Sequence, residues 1–196
     1  MSEKIEITPD YVKSLQSFTP KFLCSIEDNT YKIKFTKLVV KDFDSKEILI
    51  EHINNSKKTI NDLNEEELKK IKEIEEKDIY KSPRMIKYHL SSNILKKKIS
   101  LNFEFMGEKP IKDFIIIERH YIKDKYIGGF ESKFPFCFPQ APSNKEEIID
   151  LNKNNGLNNN IKKEMTNNVI LHKSDTFCFV ENKLIIHNKA IYYYIP

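Results

Sequence analysis

The chain has 196 residues, 39% of them apolar and 32% charged, which is enough for one folded domain with its own core. Its formal net charge is only +4, because 33 basic residues stand against 29 acidic ones, and this balance argues against a nucleic-acid-binding surface. No stretch approaches the roughly eighteen apolar residues of a membrane-spanning helix, so we expect no integral membrane association.

The cysteines are few and far apart. Cys24, Cys137 and Cys178 form no Cys-x-x-Cys pair and no Cys/His cluster with zinc spacing, so the sequence predicts no metal site. Separate cysteines of this kind are typical of reduced, buried thiols in a cytoplasmic protein. The first residues, MSEKIE, contain no apolar segment of the secretory type, which also favours a cytoplasmic location.

The first predicted element is a short helix, with Thr8 as its N-cap and Pro9 as its first residue. We expect residues 1–20 to form either this ordered helix or a mobile arm. One domain is expected to follow over residues 21–196.

Two strands and a charged insertion come next. Residues 31–40 and 46–53 are rich in β-branched and aromatic residues and predict strands, joined by a turn over 42–45. Residues 54–82 are mostly Asn, Lys and Glu, and we interpret them as an exposed insertion between strands. Within it, residues 64–79 have the composition of a charged helix.

The middle of the chain predicts further strands, over 85–90, 97–105 and 111–122. Gly107 lies between the last two of these strands and suggests a hairpin turn. Gly128-Gly129 marks the next predicted turn, and an aromatic strand, GFESKFPFCF, follows it.

The last third of the chain is expected to cross the surface and then return to strands. Residues 141–170 include an Asn-rich stretch, LNKNNGLNNNIKK, which suggests a long surface crossing with a helical turn. Residues 175–196 predict a strand, a tight Glu-Asn-Lys turn, a strand and an aromatic terminal strand. Many short strands with hardly any amphipathic helix predict an all-β fold, an antiparallel β-sandwich.

The strand over 111–122 carries two polar side chains on an apolar face. Side chains alternate along a strand, so Glu118 and His120 share the side of Phe114 and Ile116. The two polar residues could form a general acid/base pair, but no nucleophile elbow, second His/carboxylate set or phosphate loop accompanies them, and we assign no catalytic residue. The simpler alternative is a strand whose end reaches solvent.

Aromatic residues are in surplus on the predicted strands. A filled core is the usual explanation. The alternative is a sandwich whose sheets stand apart around an apolar pocket, in which Glu118 and His120 would serve as the few placed polar groups. The sequence pattern is consistent with both.

A series of motifs resembles the Unc-one-nineteen ("uncoordinated") lipid-binding chaperones of the GMP-phosphodiesterase delta-subunit family. In chain order these motifs are ITPDYVKSLQ, FLCSIEDNTYKIKF, DSKEIL, IIERHY, FPFCFP and SDTFCFVENKLIIHNKAIYYY. The resemblance runs from Ile7 to Tyr194, interrupted at the charged insertion and the Asn-rich stretch. The motifs IERHY and HNKA point to the Unc branch rather than to its prenyl-binding relative.

The resemblance implies an immunoglobulin-like β-sandwich with a hydrophobic lipid pocket between its sheets. It implies no catalysis, no cofactor and no metal, and a cargo of proteins that carry a myristoyl or similar acyl group on an N-terminal glycine. The implied partners are these N-myristoylated proteins and an Arl-type small GTPase, whose GTP form releases them. The implied location is cytoplasmic, with ciliary or flagellar delivery in some members.

The resemblance also implies site residues. Tyr88 matches a family tyrosine that contacts the acyl chain, while Glu118 and His120 match the polar pair expected to bind the cargo peptide. The positions that match apolar pocket-lining or nearby residues are Leu38, Val40, Ile94, Ile117, Phe130 and Phe136.

Some positions depart from the family pattern, namely Cys178, Ser132 and the pair Ser91-Ser92. These changes leave the preferred length of the acyl chain open. Two alternatives also remain open, which are a prenyl-binding carrier of the same fold and a protein-interaction scaffold with a filled core and no lipid site.

Overall fold

Two β-sheets packed face to face form the body of the molecule. The structure is a computed structural model that describes residues 6–54, 60–151, 157–167 and 172–195. Its strands are β1 (Lys34–Asp42), β2 (Ile48–Ile53), β3 (Met85–Ser91), β4 (Lys98–Met106), β5 (Ile111–Ile122), β6 (Lys125–Cys137), β7 (Ser143–Asp150), β8 (His172–Val180) and β9 (Lys183–Ile195), and its α-helices are α1 (Pro9–Ser14), α2 (Glu65–Lys77) and α3 (Asn159–Thr166). The first sheet has the order β2-β1-β4-β7 and the second β3-β9-β8-β5-β6. The predicted all-β sandwich with a short N-terminal helix is confirmed.

One strand pair differs from the rest. Among the pairs that the structure describes, only β3 and β9 run parallel, with Tyr88 opposite Tyr192. Parallel neighbours need a long connection, and here it contains every strand from β4 to β8. β3 lies at the edge of the second sheet, and its partner β9 is the last of the described strands.

Aromatic rings fill one end of the sandwich. Phe103 and Phe105 of β4 share a buried cluster with Phe114 of β5, and the ring centroids of Phe105 and Phe114 are 4.8 Å apart. Each such side chain contributes about 1.5–3 kcal/mol by leaving water. Part of the aromatic surplus is therefore ordinary core.

The hairpin predicted at Gly107 is wrong. β4 and β5 are consecutive but belong to different sheets, so the segment between them crosses from one sheet to the other. A Cβ atom on Gly107 would lie 2.9 Å from Ile111 Cδ1 and 3.3 Å from the carbonyl oxygen of Tyr31. The glycine reflects close packing at this crossing.

The turn predicted at Gly128-Gly129 is also wrong. Both glycines lie inside β6, and Lys123 and Asp124 make the β5–β6 turn with φ angles of 51° and 58°. A Cβ atom on Gly129 would lie 1.9 Å from the carbonyl oxygen of Glu118. Only glycine allows the two backbones to approach this closely beside Glu118.

The surface crossing predicted over 141–170 is wrong in its first part, which is strand β7 on the edge of the first sheet. β7 has the sequence SNKEEIID, in which the charged Lys145 and Glu147 occupy half-buried positions and the apolar Ile148 is exposed, so the strand lacks the apolar/polar alternation that marks a half-buried strand. α3 provides the predicted helical turn. Residues 152–156 and 168–171 lie outside the described part of the chain.

The charged insertion contains the helix that its composition suggested. α2 begins with a capping box, in which Asn64 and Glu67 each accept a hydrogen bond from the other's backbone N–H at 2.9 Å. Near its other end, Glu75 accepts two hydrogen bonds from Arg84, at 2.8 and 2.6 Å, and this ion pair ties the helix to the start of β3. Residues 55–59 of the insertion lie outside the described residues. No helix in the described ranges is long and apolar enough to cross a membrane.

The N-terminal segment is an ordered arm on the outer face of the second sheet. Thr8 caps α1, as predicted, through a 3.1 Å hydrogen bond from the Tyr11 N–H. Val12 of α1 lies in a buried cluster with Ile117 of β5 and Phe177 of β8. The predicted short helix is found at Pro9–Ser14, and residues 1–5 lie outside the described range.

A buried polar cluster, formed by Asp175, His187 and Lys189, fixes the arm. Lys189 donates to Asp175 at 2.7 Å and to the Thr19 carbonyl at 2.6 Å. His187 donates to Asp175 at 3.0 Å and accepts from the Leu23 N–H at 2.9 Å. Burial raises the pKa of Asp175, but the hydrogen bonds and charges of His187 and Lys189 outweigh it and lower that pKa overall.

Acid is expected to destabilise the fold through His187. Burial lowers the pKa of His187 to about 4 from its ordinary 6.5, although the hydrogen bond to Asp175 opposes the shift. Between those values the unfolded chain binds a proton that the folded chain does not, so the free energy of unfolding falls as the pH falls from 6.5 to 4, by about 3 kcal/mol for this residue. Urea unfolding at several pH values measures the slope.

The variant His187→Gln should unfold with a shallower pH dependence over that window. His89 is exposed on β3, and His89→Gln serves as the surface control. Equal pH slopes for the wild-type chain and His187→Gln would contradict the assignment.

Candidate ligand-binding cavity

A cavity of about 600 Å³ lies between the two sheets. This volume falls within the range of roughly 300–1,000 Å³ that is usual for small-molecule sites. Leu38 and Val40 of β1 and Leu101 of β4 line one wall, and β3, β5, β8 and β9 form the other. The sheets therefore stand apart beyond the aromatic core, as in the pocket alternative.

Most of the predicted site residues border this cavity. The apolar ones among them are Leu38, Val40, Tyr88, Ile94 and Phe130. Glu118 and His120 border it as well, on the same face of β5 as Ile116, as the alternation predicted. The ring of Tyr88 stacks on Tyr192, with centroids 5.2 Å apart.

Two predicted lining residues lie elsewhere. Ile117 follows Ile116 on β5, so its side chain points to the other face of the sheet, where it packs near Val12 under the N-terminal arm. Phe136 is 44% exposed near the end of β6 and packs against Phe138, with ring centroids 5.0 Å apart. Neither side chain borders the cavity.

The cavity opens between the edge strands β2 and β3. His52 of β2, with Pro83 and Ile86 at the start of β3, border it and are exposed to solvent. Towards the end of β3 it is closed by an apolar cluster whose buried members include Leu90, Ile94, Leu95, Leu157 and Met165. The exposed residues between β2 and β3 thus form a mouth to the cavity, and the apolar cluster forms an end of it.

A chain of polar side chains runs along the wall made by β5, β8 and β9. Glu118 Oε1 lies 3.3 Å from His120 Nε2, and His120 Nδ1 lies 3.0 Å from His172 Nε2. His172 Nδ1 lies 2.6 Å from the Tyr194 hydroxyl, and the Tyr192 hydroxyl donates to Glu118 Oε1 at 3.3 Å. The side chains of Glu118 and His120 remain 17% and 20% accessible, so the chain of polar groups reaches the cavity space.

The charge of Glu118 sets the proton pattern. Glu118 Oε1 is 3.3 Å from His120 Nε2, and a carboxylate at this distance favours the neutral tautomer that carries its proton on Nε2. His120 Nδ1 then accepts from His172 Nε2–H, and His172 Nδ1 accepts from the Tyr194 hydroxyl. Burial lowers the pKa of His120 against the influence of Glu118, and burial with neighbouring His120 lowers the pKa of His172 well below its usual value. With pKa values below 6.5, both imidazoles are neutral at pH 7.

His172 and Tyr192 were not predicted as site residues. In the β5–β8 pairing, His120 is opposite Ser174 and Ile122 is opposite His172, which makes the two histidines diagonal neighbours on one face. This relation depends on the register between strands that are far apart in the chain. The only sequence signal is the alternation of His172 and Ser174 on one strand.

None of the positions that depart from the family pattern, Cys178, Ser132 and Ser91-Ser92, borders the cavity. Cys178 is fully buried in the aromatic core, where burial raises the pKa of its thiol. The Ser132 hydroxyl donates to Glu147 at 2.5 Å and joins the two sheets at the edge away from the mouth. Among the described residues, no group of three or more His, Cys, Asp or Glu side chains could hold a metal ion.

Residues 27–194 match the sequence profile of the family described as GMP-PDE, delta subunit, which is most of the chain. The chain belongs to the GMP-PDE delta-subunit family. Protein unc-119 of Caenorhabditis elegans is 37% identical over 97% of this chain and 81% of its own length. Protein unc-119 of Caenorhabditis briggsae is 35% identical over 99% and 82%, and Protein unc-119 homolog B of Homo sapiens is 32% identical over 96% and 72%. The resemblance to the Unc-one-nineteen proteins is confirmed.

Membership of the GMP-PDE delta-subunit family implies a lipid-binding trafficking chaperone. Such a protein binds lipidated partners and does not catalyse a reaction. An apolar cavity with a mouth between β2 and β3 and a short row of polar groups on its wall has the features that such binding needs.

Proposed function

We propose that this chain sequesters the N-terminal myristoyl group, or a similar acyl group, of cargo proteins in the cavity between its sheets and carries the cargo between membranes. A GTP-bound Arl-type small GTPase then releases the cargo. The protein acts in the cytoplasm, with cilia or flagella as destinations. The observation that carries the proposal is the apolar cavity of about 600 Å³ with Glu118 on its wall.

The energetics of such a transfer are favourable. A myristoyl chain has about a dozen methylenes, and burying each contributes about 0.8 kcal/mol, which gives roughly 10 kcal/mol before the costs of binding. A single myristoyl group holds a protein on a bilayer with an association constant of about 10⁴ M⁻¹, which corresponds to about 5.5 kcal/mol. A carrier with sub-micromolar affinity can therefore compete with a membrane.

The position of Glu118 on the cavity wall favours a ligand whose acyl chain is joined to it by an amide. An acyl group on a glycine brings N–H and C=O groups behind its hydrocarbon chain, and leaving one unpaired on burial costs about 1–3 kcal/mol. Glu118 Oε1 accepts from the Tyr192 hydroxyl and lies 3.3 Å from His120 Nε2, whereas Oε2 has no hydrogen-bond partner within the described residues. Oε2 is thus an acceptor for a peptide N–H of the cargo.

Release by a GTPase follows from linkage. A protein that lowers the affinity of the carrier for the acyl chain must bind the cargo-free or opened form of the carrier better than the loaded form. Adding a GTP-loaded Arl-type GTPase to the loaded carrier should therefore speed dissociation of the cargo, and the GDP form serves as the control. The same dissociation rate with both nucleotides would contradict this part of the proposal.

The proposal is tested by fluorescence anisotropy with a labelled glycine-starting peptide in myristoylated, farnesylated and unmodified forms. Tight binding of the myristoylated form alone is expected. Preference for the farnesylated form would assign the chain to the prenyl branch. Binding of neither lipid would favour the interaction scaffold.

Replacing Glu118 by Ala should weaken binding of the myristoylated peptide about tenfold, because one charge-assisted hydrogen bond is lost. Binding of free myristate should weaken less, since its carboxylate brings no N–H to Glu118. Anisotropy competition measures both affinities. Glu131 of β6 pairs with Lys13 at 2.8 Å away from the cavity, so Glu131→Ala is the matched control. Equal losses for the two ligands would reject the peptide-reading role.

A further inference from the structure

The proton pattern in the cavity wall depends on His172. Glu118 can only accept a hydrogen bond, and it therefore favours a proton on His120 Nε2, 3.3 Å away. This leaves the Nδ1 lone pair of His120 to be satisfied. His172 Nε2, at 3.0 Å, supplies the donor that does so.

Without a donor at His120 Nδ1, the free lone pair on that nitrogen would favour protonation of the ring. A buried acceptor without a partner is unfavourable, and next to a carboxylate the ring would gain from taking up a proton there. The resulting imidazolium would pair with Glu118 and neutralise the charge that attracts a ligand N–H. A donor on Nδ1 prevents this, because the lone pair that would bind the proton is already in a hydrogen bond.

His172 is itself fixed by Tyr194. The Tyr194 hydroxyl lies 2.6 Å from His172 Nδ1, which directs the His172 proton to Nε2 and so towards His120. The His172 and Tyr194 rings stack, with an interplanar angle of 7°, and both side chains are buried. The ring orientation is thus set by packing as well as by the hydrogen bond.

Among the described residues, no cationic side chain bordering the cavity takes the place of His172 as a hydrogen-bond donor to His120. Besides Glu118 and the two histidines, the polar side chains on the same wall include Ser174, Thr176, Asn188, Tyr88, Tyr192 and Tyr194, and the facing wall includes Leu38, Val40 and Leu101. The other charged or titratable side chains that border the cavity are Lys34, Lys37, His52, Arg84, His187 and Lys189. None of these six forms a hydrogen bond with His120 or His172 among the described residues.

We propose that His172 is a positioning residue for the acylated peptide. By donating to His120 Nδ1 it holds His120 as the neutral Nε2–H tautomer, and this leaves Glu118 charged, with Oε2 free to accept from the cargo backbone. The proposal rests on the function proposed above. It adds that the affinity for cargo is made insensitive to mild acid by a second histidine that does not touch the peptide.

The test compares two substitutions at His172. His172→Gln keeps both hydrogen bonds, since its amide can donate to His120 and accept from Tyr194, whereas His172→Leu keeps neither. Affinity for the labelled myristoylated peptide is measured between pH 5.5 and 8. We expect less than about a twofold change across this range for the wild-type chain and His172→Gln, and a loss of about tenfold towards pH 5.5 for His172→Leu.

The tautomer of His120 is measured in a second experiment, without any ligand. Two-dimensional ¹H–¹⁵N spectra of the imidazole rings should show His120 as a neutral Nε2–H ring in the wild-type chain and in His172→Gln. In His172→Leu, His120 should titrate within the same pH range. Because these spectra need no cargo, a wild-type chain that fails to bind the peptide would refute the proposed function while the role of His172 in fixing the tautomer is still decided.

A second variant keeps the test decisive if His172→Leu does not fold. Tyr194→Phe removes only the hydroxyl that directs the His172 proton, so it should move the His120 titration in the direction of His172→Leu even where the leucine variant does not fold. The proposal is overturned if His120 stays a neutral Nε2–H ring in the folded variants His172→Leu or Tyr194→Phe, or if their pH profiles of binding match that of the wild-type chain.

Discussion

Replacing Leu38 by Trp is expected to reduce affinity for the myristoylated peptide by more than about a hundredfold. Leu38 lies in the middle of β1, opposite Phe103 of β4, and its side chain borders the cavity. The larger indole would occupy space that the acyl chain needs, and excluding four methylenes forfeits about 3 kcal/mol. Fluorescence anisotropy measures the affinity.

A matched control separates a filled cavity from a damaged fold. Ile148 of β7 is 52% exposed and does not border the cavity, so Ile148→Trp adds the same indole elsewhere. Both variants should melt within a few degrees of the wild-type chain, because the indole at position 38 fills empty space. Wild-type affinity in a folded Leu38→Trp variant would show that the acyl chain binds elsewhere.

Replacing Asp175 by Asn is expected to lower the free energy of unfolding by about 3–5 kcal/mol at pH 7. Asp175 is fully buried and accepts from Lys189, His187 and the Thr19 N–H, so the substitution leaves a buried ammonium group without its counter-charge. This is a large part of the 5–15 kcal/mol that stabilises a typical domain. Urea unfolding measures the loss, and faster amide exchange at Thr19 and Leu23 should accompany it.

An exposed ion pair provides the control for that substitution. Asp124 accepts from Lys173 at 3.0 Å and its side chain is 60% exposed, so Asp124→Asn should cost less than about 1 kcal/mol. The double variant Asp175→Asn/Lys189→Met removes both buried charges and should recover part of the loss. A single Asp175→Asn variant as stable as Asp124→Asn would contradict the anchoring role of the cluster.

Sequence pattern was sufficient where the structure depends on local alternation. The positions of Glu118 and His120 on the inner face of β5 followed from a period of two, and Thr8 at the start of α1 followed from helix-capping chemistry. Ile117 shows the limit of matching residues to a family. The same alternation that turns Glu118 inward turns Ile117 outward, so the local rule was the better guide there.

Features that depend on distant parts of the chain were missed. His172 contacts His120 only because β8 pairs with β5 in one particular register, which no local pattern specifies. The crossing at Gly107 resembles a hairpin until the sheet partners of β4 and β5 are known. The Gly128-Gly129 pair is typical of a turn, but Gly129 is required here because the backbone of Glu118 passes too close for a side chain. The domain limits at residues 20 and 21 remain a prediction.

The parallel pairing of β3 with β9 has a consequence for folding during synthesis. The wall that holds Tyr88 cannot form before Tyr192 and Tyr194 have left the ribosome, because the partner of β3 is β9, which follows all the other described strands in the chain. Until then the inner faces of the other strands are open to water and to other chains, and such long-range pairings are slow to form. A chain that has not yet paired β9 with β3 therefore lacks the complete cavity and cannot bind a lipid in it.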